Sequence, residues 1–309
     1  MTTVPARGRL RAAAYARLAK LDVFDYYLAV PVVWAFLPSE RRTDGRTLLV
    51  LALCLIGAVA VLAAGVALDD VTGYRDGSDA ANYGADAANR RLARKPLLTG
   101  ELTVSDARRF AAVAAGAGAA CWLAAWLLSP GRPGWVLAVA TACLVVAVGY
   151  SAGPRFSYRG GQELVLLGFG LGVVVLGYGV ATGRCGGTIV TVGLLFGIGP
   201  LLFGLYANVN DARGDAAAGR RTLATTLGPA GHRRVILAVS AAETVLVLAG
   251  GMPGWFILLY APVLLLRLRQ LTVGRSPGGT LAARRLGIHT HRLAATLLAA
   301  AGLILGATA

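Results

Sequence analysis

A chain of 309 residues that is 56% hydrophobic and only 15% charged, with positive mean hydropathy, is no ordinary soluble domain and reads as a polytopic membrane protein. The formal charge of +15 would suit nucleic acid, but Lys and Arg fall in clusters between long apolar runs, so topology accounts for them better and no nucleic-acid partner is expected. Cys54, Cys121 and Cys143 lie inside apolar runs and Cys185 in a short connector, which gives neither a disulfide framework nor metal-ligand spacing.

In chain order, residues 1–20 read as a basic N-terminal tail carrying Arg7, Arg9, Arg11, Arg17 and Lys20, and residues 21–309 as one transmembrane domain. The first apolar run lacks a small-residue cleavage site and is read as a retained helix at 21–38. Asp22 and Asp25 at its entrance are expected to complement its dipole. Further spans are predicted at 46–68, 107–128, 135–150, 162–182, 187–208, 234–250, 253–268 and 287–308, with a loop over 69–104. Nine spans with the N-terminus inside place 25 basic residues on the cytoplasmic side and five outside, which predicts a multi-pass cell-membrane protein with a cytoplasmic N-terminus and an external C-terminus. The abundant Gly and Ala suit close helix packing in lipid.

Two polar stretches stand between these spans: Asp69-Asp70-Val71-Thr72-Gly73-Tyr74-Arg75-Asp76-Gly77-Ser78-Asp79 and Asn208-Val209-Asn210-Asp211-Ala212-Arg213-Gly214-Asp215. A basic run follows each, Arg90-Arg91-Leu92-Ala93-Arg94-Lys95 and Arg220-Arg221. Each stretch could be a solvated connector. Yet both repeat one order of acids, then bases, and both fall on the predicted cytoplasmic side. Carboxylates hold hard cations and Arg and Lys hold phosphates, so together they describe a site for a Mg²⁺-bridged diphosphate. Asn208, Asp211 and Asp215, at i, i+3 and i+7, share one face if the sixth span continues as a helix. Gly73 and Gly77 lower helix propensity and predict a less regular first half. Each acidic stretch follows the second helix of a four-helix group, which suggests two pseudo-repeated halves around one cavity, plus a last helix. Cations facing an allylic diphosphate would neutralise its leaving group, and aromatic side chains would shield the carbocation. A membrane site suits an isoprenoid tail.

The second stretch with its extension Ala218-Gly219-Arg220-Arg221-Thr222-Leu223 resembles the second Asp-rich motif of the UbiA superfamily of intramembrane prenyltransferases. Tyr150-Ser151-Ala152-Gly153-Pro154 and Tyr158-Arg159-Gly160-Gly161-Gln162-Glu163 are similar to the loop of its 1,4-dihydroxy-2-naphthoate prenyltransferases, the menaquinone branch. The first motif diverges: Asp69 stands where the family has Asn, and Gly73 where it has Asp. The resemblance implies an all-α, nine-helix bundle and Mg²⁺-dependent transfer of a prenyl group from a prenyl diphosphate to an aromatic or quinonoid acceptor. A terpene cyclase or a non-catalytic isoprenoid-diphosphate carrier is the alternative. Asp69, Asp70, Asp76, Asp79, Asn208, Asp211 and Asp215 are the expected metal ligands, with Asp79, Asp211 and Asp215 catalytic. Arg90, Arg91, Arg94, Lys95, Arg220 and Arg221 are expected on the diphosphate, and Tyr150, Tyr158 and Glu163 at the acceptor or cavity. Glu163 could equally cap its helix. Glu243 reads as a partnered structural residue, and His232, His289 and His291 as solvated.

Overall fold

The computed structural model describes residues 5–83 and 92–308; among them there is no strand. The helices are α1 (Pro5–Ala19), α2 (Ala29–Ala35, entered through a 3₁₀ turn at Tyr26–Leu28), α3 (Ser39–Arg42), α4 (Gly45–Arg75), α5 (Ser78–Tyr83), α6 (Val104–Leu128), α7 (Gly134–Gly149), α8 (Phe156–Arg159), α9 (Gln162–Thr182), α10 (Gly187–Ala217), α11 (Leu223–Thr226), α12 (Gly228–Ala249), α13 (Trp255–Arg275) and α14 (Thr280–Thr308). Eight of the nine expected spans coincide with α-helices, whereas 21–38 holds only the 3₁₀ turn and the short α2 among the described residues. Six of these, α4, α6, α9, α10, α13 and Thr280–Gly306 of α14, are long and apolar enough to cross a membrane by length and composition. The segment Tyr26–Ala35 and α7 are shorter, and α12 carries Arg233, Arg234 and Glu243. Leu258, Leu265 and Leu268 on α13 and Val113 on α6 face outward, a pattern that water would penalise and lipid accepts. This is a multi-pass membrane protein.

The longest helices organise the bundle. Both α4 and α10 run 31 residues, and α10 is the most enclosed, buried along its apolar length from Ile189 to Tyr206. It lies directly on α9: a Cβ on Gly170 would meet the Gly197 Cα at 2.5 Å, so these backbones touch because neither helix has a side chain at the crossing.

Several sequence expectations are corrected. The loop expected over 69–104 begins later, because α4 continues through Gly73 to Arg75 and places Asp69 and Asp70 on a regular helix. Packing outweighs the roughly 1 kcal/mol that Gly costs in a helix. The break comes at Gly77, whose φ of +81° is a conformation that glycine adopts freely. The basic N-terminal stretch is the helix α1, and Ala14 and Leu18 bury against Ala64, Ala67 and Val71 of α4. Asp25 stands at the N-cap of the 3₁₀ turn but gives its carboxylate to other groups, accepting from Arg292 Nε at 2.6 Å and Tyr27 Oη at 2.9 Å, while Asp22 lines the cavity described below. His232 and His291 are buried, whereas His289 is exposed. His291 lies edge-on to Phe196, so the bundle uses it as an aromatic packing element. Glu243 has the partner expected of it, the buried Arg267.

Candidate active site

The extended ends of α4 and α10 bring the acidic stretches to opposite walls of one cavity of about 510 Å³. α10 contributes Asn208, Asp211 and Asp215, all three lining the cavity, as their spacing on a continuing helix requires. Asp69 of α4 and Asp79 of α5 line it from the other side. Toward the interior the wall turns apolar and aromatic, with Leu62, Val66, Phe24, Tyr26, Phe169 and Phe203. Phe24 and Tyr26 stack, and Tyr26 meets Phe169 edge-on at 4.9 Å between centroids.

Cations bind the acids into two clusters. In the first, the Lys95 ammonium lies 2.8 Å from Asp70 Oδ1 and 2.6 Å from Asp79 Oδ1, and Lys20 lies 2.6 Å from the same Asp70 oxygen. Burial alone would lower the Lys95 pKa, but Asp70, Asp79 and Asp69 together hold it well above the ordinary lysine value. Burial pushes Asp79 above the usual carboxylate range, with Lys95 pulling against it and Asp70 reinforcing it. In the second cluster the Arg220 guanidinium joins the two motifs, bonding Asp69 Oδ1 at 3.0 Å and Asp76 Oδ2 at 3.2 Å, with Asp215 Oδ1 at 3.9 Å. Burial would lower its pKa too; Asp69, Asp76 and Asp215 raise it instead. The turn that delivers Arg220 has Gly219 at a φ of +74° and is tied back by the Arg220 N–H donating to the Asp215 carbonyl at 2.8 Å.

The other expected residues divide. Asp70 is 1% exposed, does not line the cavity, and serves as the acceptor for two lysines. Asp76 also lies off the cavity lining, taking bonds from Tyr158 Oη, the Ser78 N–H and Arg220. Burial would raise the Asp76 pKa, but those donors outweigh it and hold the carboxylate below its usual range. Tyr158 belongs to that cluster, with the Arg155 guanidinium 3.8 Å from its ring centroid. Tyr150 lines the cavity and donates to Gln162 Oε1 at 2.9 Å. Glu163, buried, does not cap α9; it accepts from Asn208 Nδ2 at 3.0 Å and from the Leu223 N–H at 2.8 Å, fixing a cavity-lining side chain. Arg94 lines the cavity and pairs with Asp22 at 2.6 Å. Arg221 is exposed and touches the α8 turn only through its N–H, donating to the Ser157 carbonyl. Arg90 and Arg91 lie outside the described residues.

Sequence reasoning missed Lys20, Asn82, Asn210, Arg284 and Arg285 as cavity residues. Asn82 had a signal, since it stands three residues after Asp79 on the same side of α5. The arginines of α14 had none beyond their basic charge.

Gly73 makes room for an acid of the next helix. A Cβ there would sit 2.7 Å from the Asp79 Cγ, so the absent side chain is the space that the Asp79 carboxylate occupies. Gly73→Asp should therefore displace Asp79 and cost about 1–3 kcal/mol by overpacking. Thermal unfolding in detergent measures this; an unchanged midpoint would mean that Asp79 moves aside freely.

A bundle of apolar helices around a cavity whose lining is part acidic and basic and part aromatic and apolar defines an integral membrane protein. The chain belongs to the UbiA prenyltransferase family, whose sequence model matches residues 28–289. Its backbone is similar to a UbiA homologue from Archaeoglobus fulgidus bound to DMAPP and Mg²⁺, at a TM-score of 0.67 and 16% identity over 96% of this chain and 99% of that one. The Archaeoglobus fulgidus homologue bound to GPP and Mg²⁺ gives 0.66 and 15% over 95% and 99%. The apo UbiA homologue from Aeropyrum pernix K1 gives 0.63 and 19% over 92% and 98%. These likenesses concern the fold. A search of curated proteins finds no match.

Proposed function

We propose that this protein is a Mg²⁺-dependent prenyltransferase that moves a prenyl group from a prenyl diphosphate to an aromatic or quinonoid acceptor. The observation that carries the reading is the single cavity in which carboxylates, an amide and buried cations lie at one end and an aromatic, apolar wall at the other. That polarity fits a diphosphate head and an isoprenoid tail, and the Archaeoglobus fulgidus homologue, bound to Mg²⁺ with DMAPP or GPP, supports it. Family membership and the helices at eight of the nine expected positions, with the short α2 at the ninth, support nine spans, and the 25-to-5 basic distribution supports a cytoplasmic mouth. The Tyr150 and Tyr158 to Glu163 loop supports an acceptor of the dihydroxynaphthoate kind.

The donor set fits Mg²⁺. The cavity's candidate ligands are all oxygens, from Asp69, Asp79, Asn208, Asp211 and Asp215, as a hard cation prefers. Among the described residues no three His, Cys, Asp or Glu are gathered as a ready-made centre, so phosphate and water oxygens would have to complete the ion's coordination. When bound, the ion neutralises charge on the diphosphate leaving group. Lys95 and Arg220, held beside the acids, give the phosphates fixed positive partners, and Arg94 adds another at the cavity edge. Phe24, Tyr26, Phe169 and Phe203 exclude water from the prenyl group and face a developing carbocation with π-surfaces.

Purified protein in lipid, given Mg²⁺ and labelled dimethylallyl, geranyl or longer prenyl diphosphates, should release pyrophosphate and form a prenylated aromatic only when 1,4-dihydroxy-2-naphthoate or a related phenol is added. A prenyl product without acceptor would identify a cyclase, and binding without pyrophosphate release a carrier; either overturns the reading.

Glu163 is a positioning residue in this scheme. Glu163→Ala should weaken the apparent Mg²⁺ affinity about 10-fold or more, because Asn208 and the Leu223 N–H lose a charged acceptor worth about 1.5–3 kcal/mol. Glu163→Gln keeps one acceptor oxygen and should restore most of it. Mg²⁺ titration of turnover distinguishes these outcomes, and equal behaviour of the two variants would refute the positioning role.

A further inference from the structure

Behind the acidic wall of α10 lies a second cavity of about 570 Å³, between the outer face of α10 and helices α12 and α13. Tyr206, Val209, Ala212, Ile236, Leu237 and Leu271 give it an apolar floor. Arg233, Arg234 and Arg275, all exposed, stand on its lining. No carboxylate lines it, and none of these three guanidiniums has an ion pair or hydrogen bond among the described residues. Every other cavity-lining guanidinium with a described partner, Arg94 and Arg220, is matched to an aspartate. His232 also lines this second cavity. Its Nε2 lies 3.0 Å from the Leu205 carbonyl, which anchors the ring beside α10.

We propose that this cavity binds one anionic phospholipid, its phosphate on Arg233, Arg234 and Arg275 and its chains on the apolar floor. Charge complementarity commits the occupant. Three unpaired guanidiniums attract a phosphodiester whose charge no headgroup cation cancels. The floor requires an acyl chain beside it, which a free anion lacks. The site is separate from the acidic cavity, because Val209 and Ala212 face it from the side of α10 opposite Asp211 and Asp215.

The test is native mass spectrometry of the detergent-purified full chain titrated with phosphatidylglycerol or phosphatidylcholine. One phosphatidylglycerol should be retained in preference to phosphatidylcholine. The Arg233→Gln/Arg234→Gln/Arg275→Gln variant should lose that retention by about 10-fold or more. Ala230→Trp, which puts a large ring at the exposed rim of the cavity and keeps every guanidinium, should lower it as well; it guards against a triple variant that fails to fold. Equal retention of the two lipids, or undiminished retention in Ala230→Trp, would overturn the proposal. Complete displacement of the lipid by excess inorganic phosphate would also overturn it, by showing a site for the bare anion. Each readout is independent of prenyl transfer.

Discussion

Asp211→Ala and Asp215→Ala should each lower turnover about 10²- to 10³-fold, while insertion and helix packing survive. Both carboxylates face the cavity from the last turns of α10, beyond the apolar stretch that packs the helix into the bundle. Removing either therefore subtracts charge from the site and little buried apolar surface. A lost preorganised electrostatic contact of this kind is worth roughly 3–4 kcal/mol of transition-state stabilisation. The loss at Asp215 has a second consequence: Arg220, 3.9 Å away, keeps only its partners Asp69 and Asp76 and is drawn toward the first motif. The measurement is single-turnover prenyl transfer at limiting Mg²⁺ with protein levels matched. Wild-type rates in both variants would place the chemistry elsewhere.

The largest stability effect is expected at a buried ion pair that does not line the cavity. Glu243 is 0% exposed and Arg267 3%, with Arg267 Nε 2.7 Å from Glu243 Oε2 and Nη2 3.3 Å from Oε1. Tyr260 Oη donates to the same carboxylate at 3.2 Å, and Arg267 also donates to Gln270 at 3.1 Å. Arg267→Met strands a buried carboxylate and should destabilise the protein by about 3–5 kcal/mol. Glu243→Gln/Arg267→Met removes both charges and should recover most of that loss. Unfolding in mixed detergent reports both. A double variant as unstable as the single one would show that the pair supports something other than its own charges.

Much of the fold was legible because membrane spans announce themselves: a run of apolar residues long enough to cross hydrocarbon has few other uses in a chain. The spacing of Asn208, Asp211 and Asp215 likewise carried their common orientation, once α10 continued past its apolar end. Contacts between residues distant in the chain were not legible. Nothing in the order of residues says that Lys20 reaches Asp70, that Asp76 turns from the cavity toward Tyr158, or that Arg220 closes both motifs. The arginines of the first twenty residues concealed α1, because its buried surface is made of small and aliphatic residues such as Ala14 and Leu18. His291 misled for a similar reason: a ring that can be charged looks solvated in a list of residues, yet it fills space against Phe196 where a Cβ on Gly199 would strike it at 2.3 Å. Gly73 was read as a weak point in a helix and is instead room reserved for Asp79.

α14 bears on how the bundle closes. α14 supplies Leu281, Arg284, Arg285 and Ile288 to the cavity, and its Arg292 neutralises Asp25 beside the first apolar segment. Arg42 reaches it from the far side, donating to the Gly302 carbonyl at 3.4 Å. Without α14 the bundle would keep an open flank, and the buried Asp25 would retain Tyr27 but lose its counter-charge. One helix thus closes the chamber and balances the charge beside it.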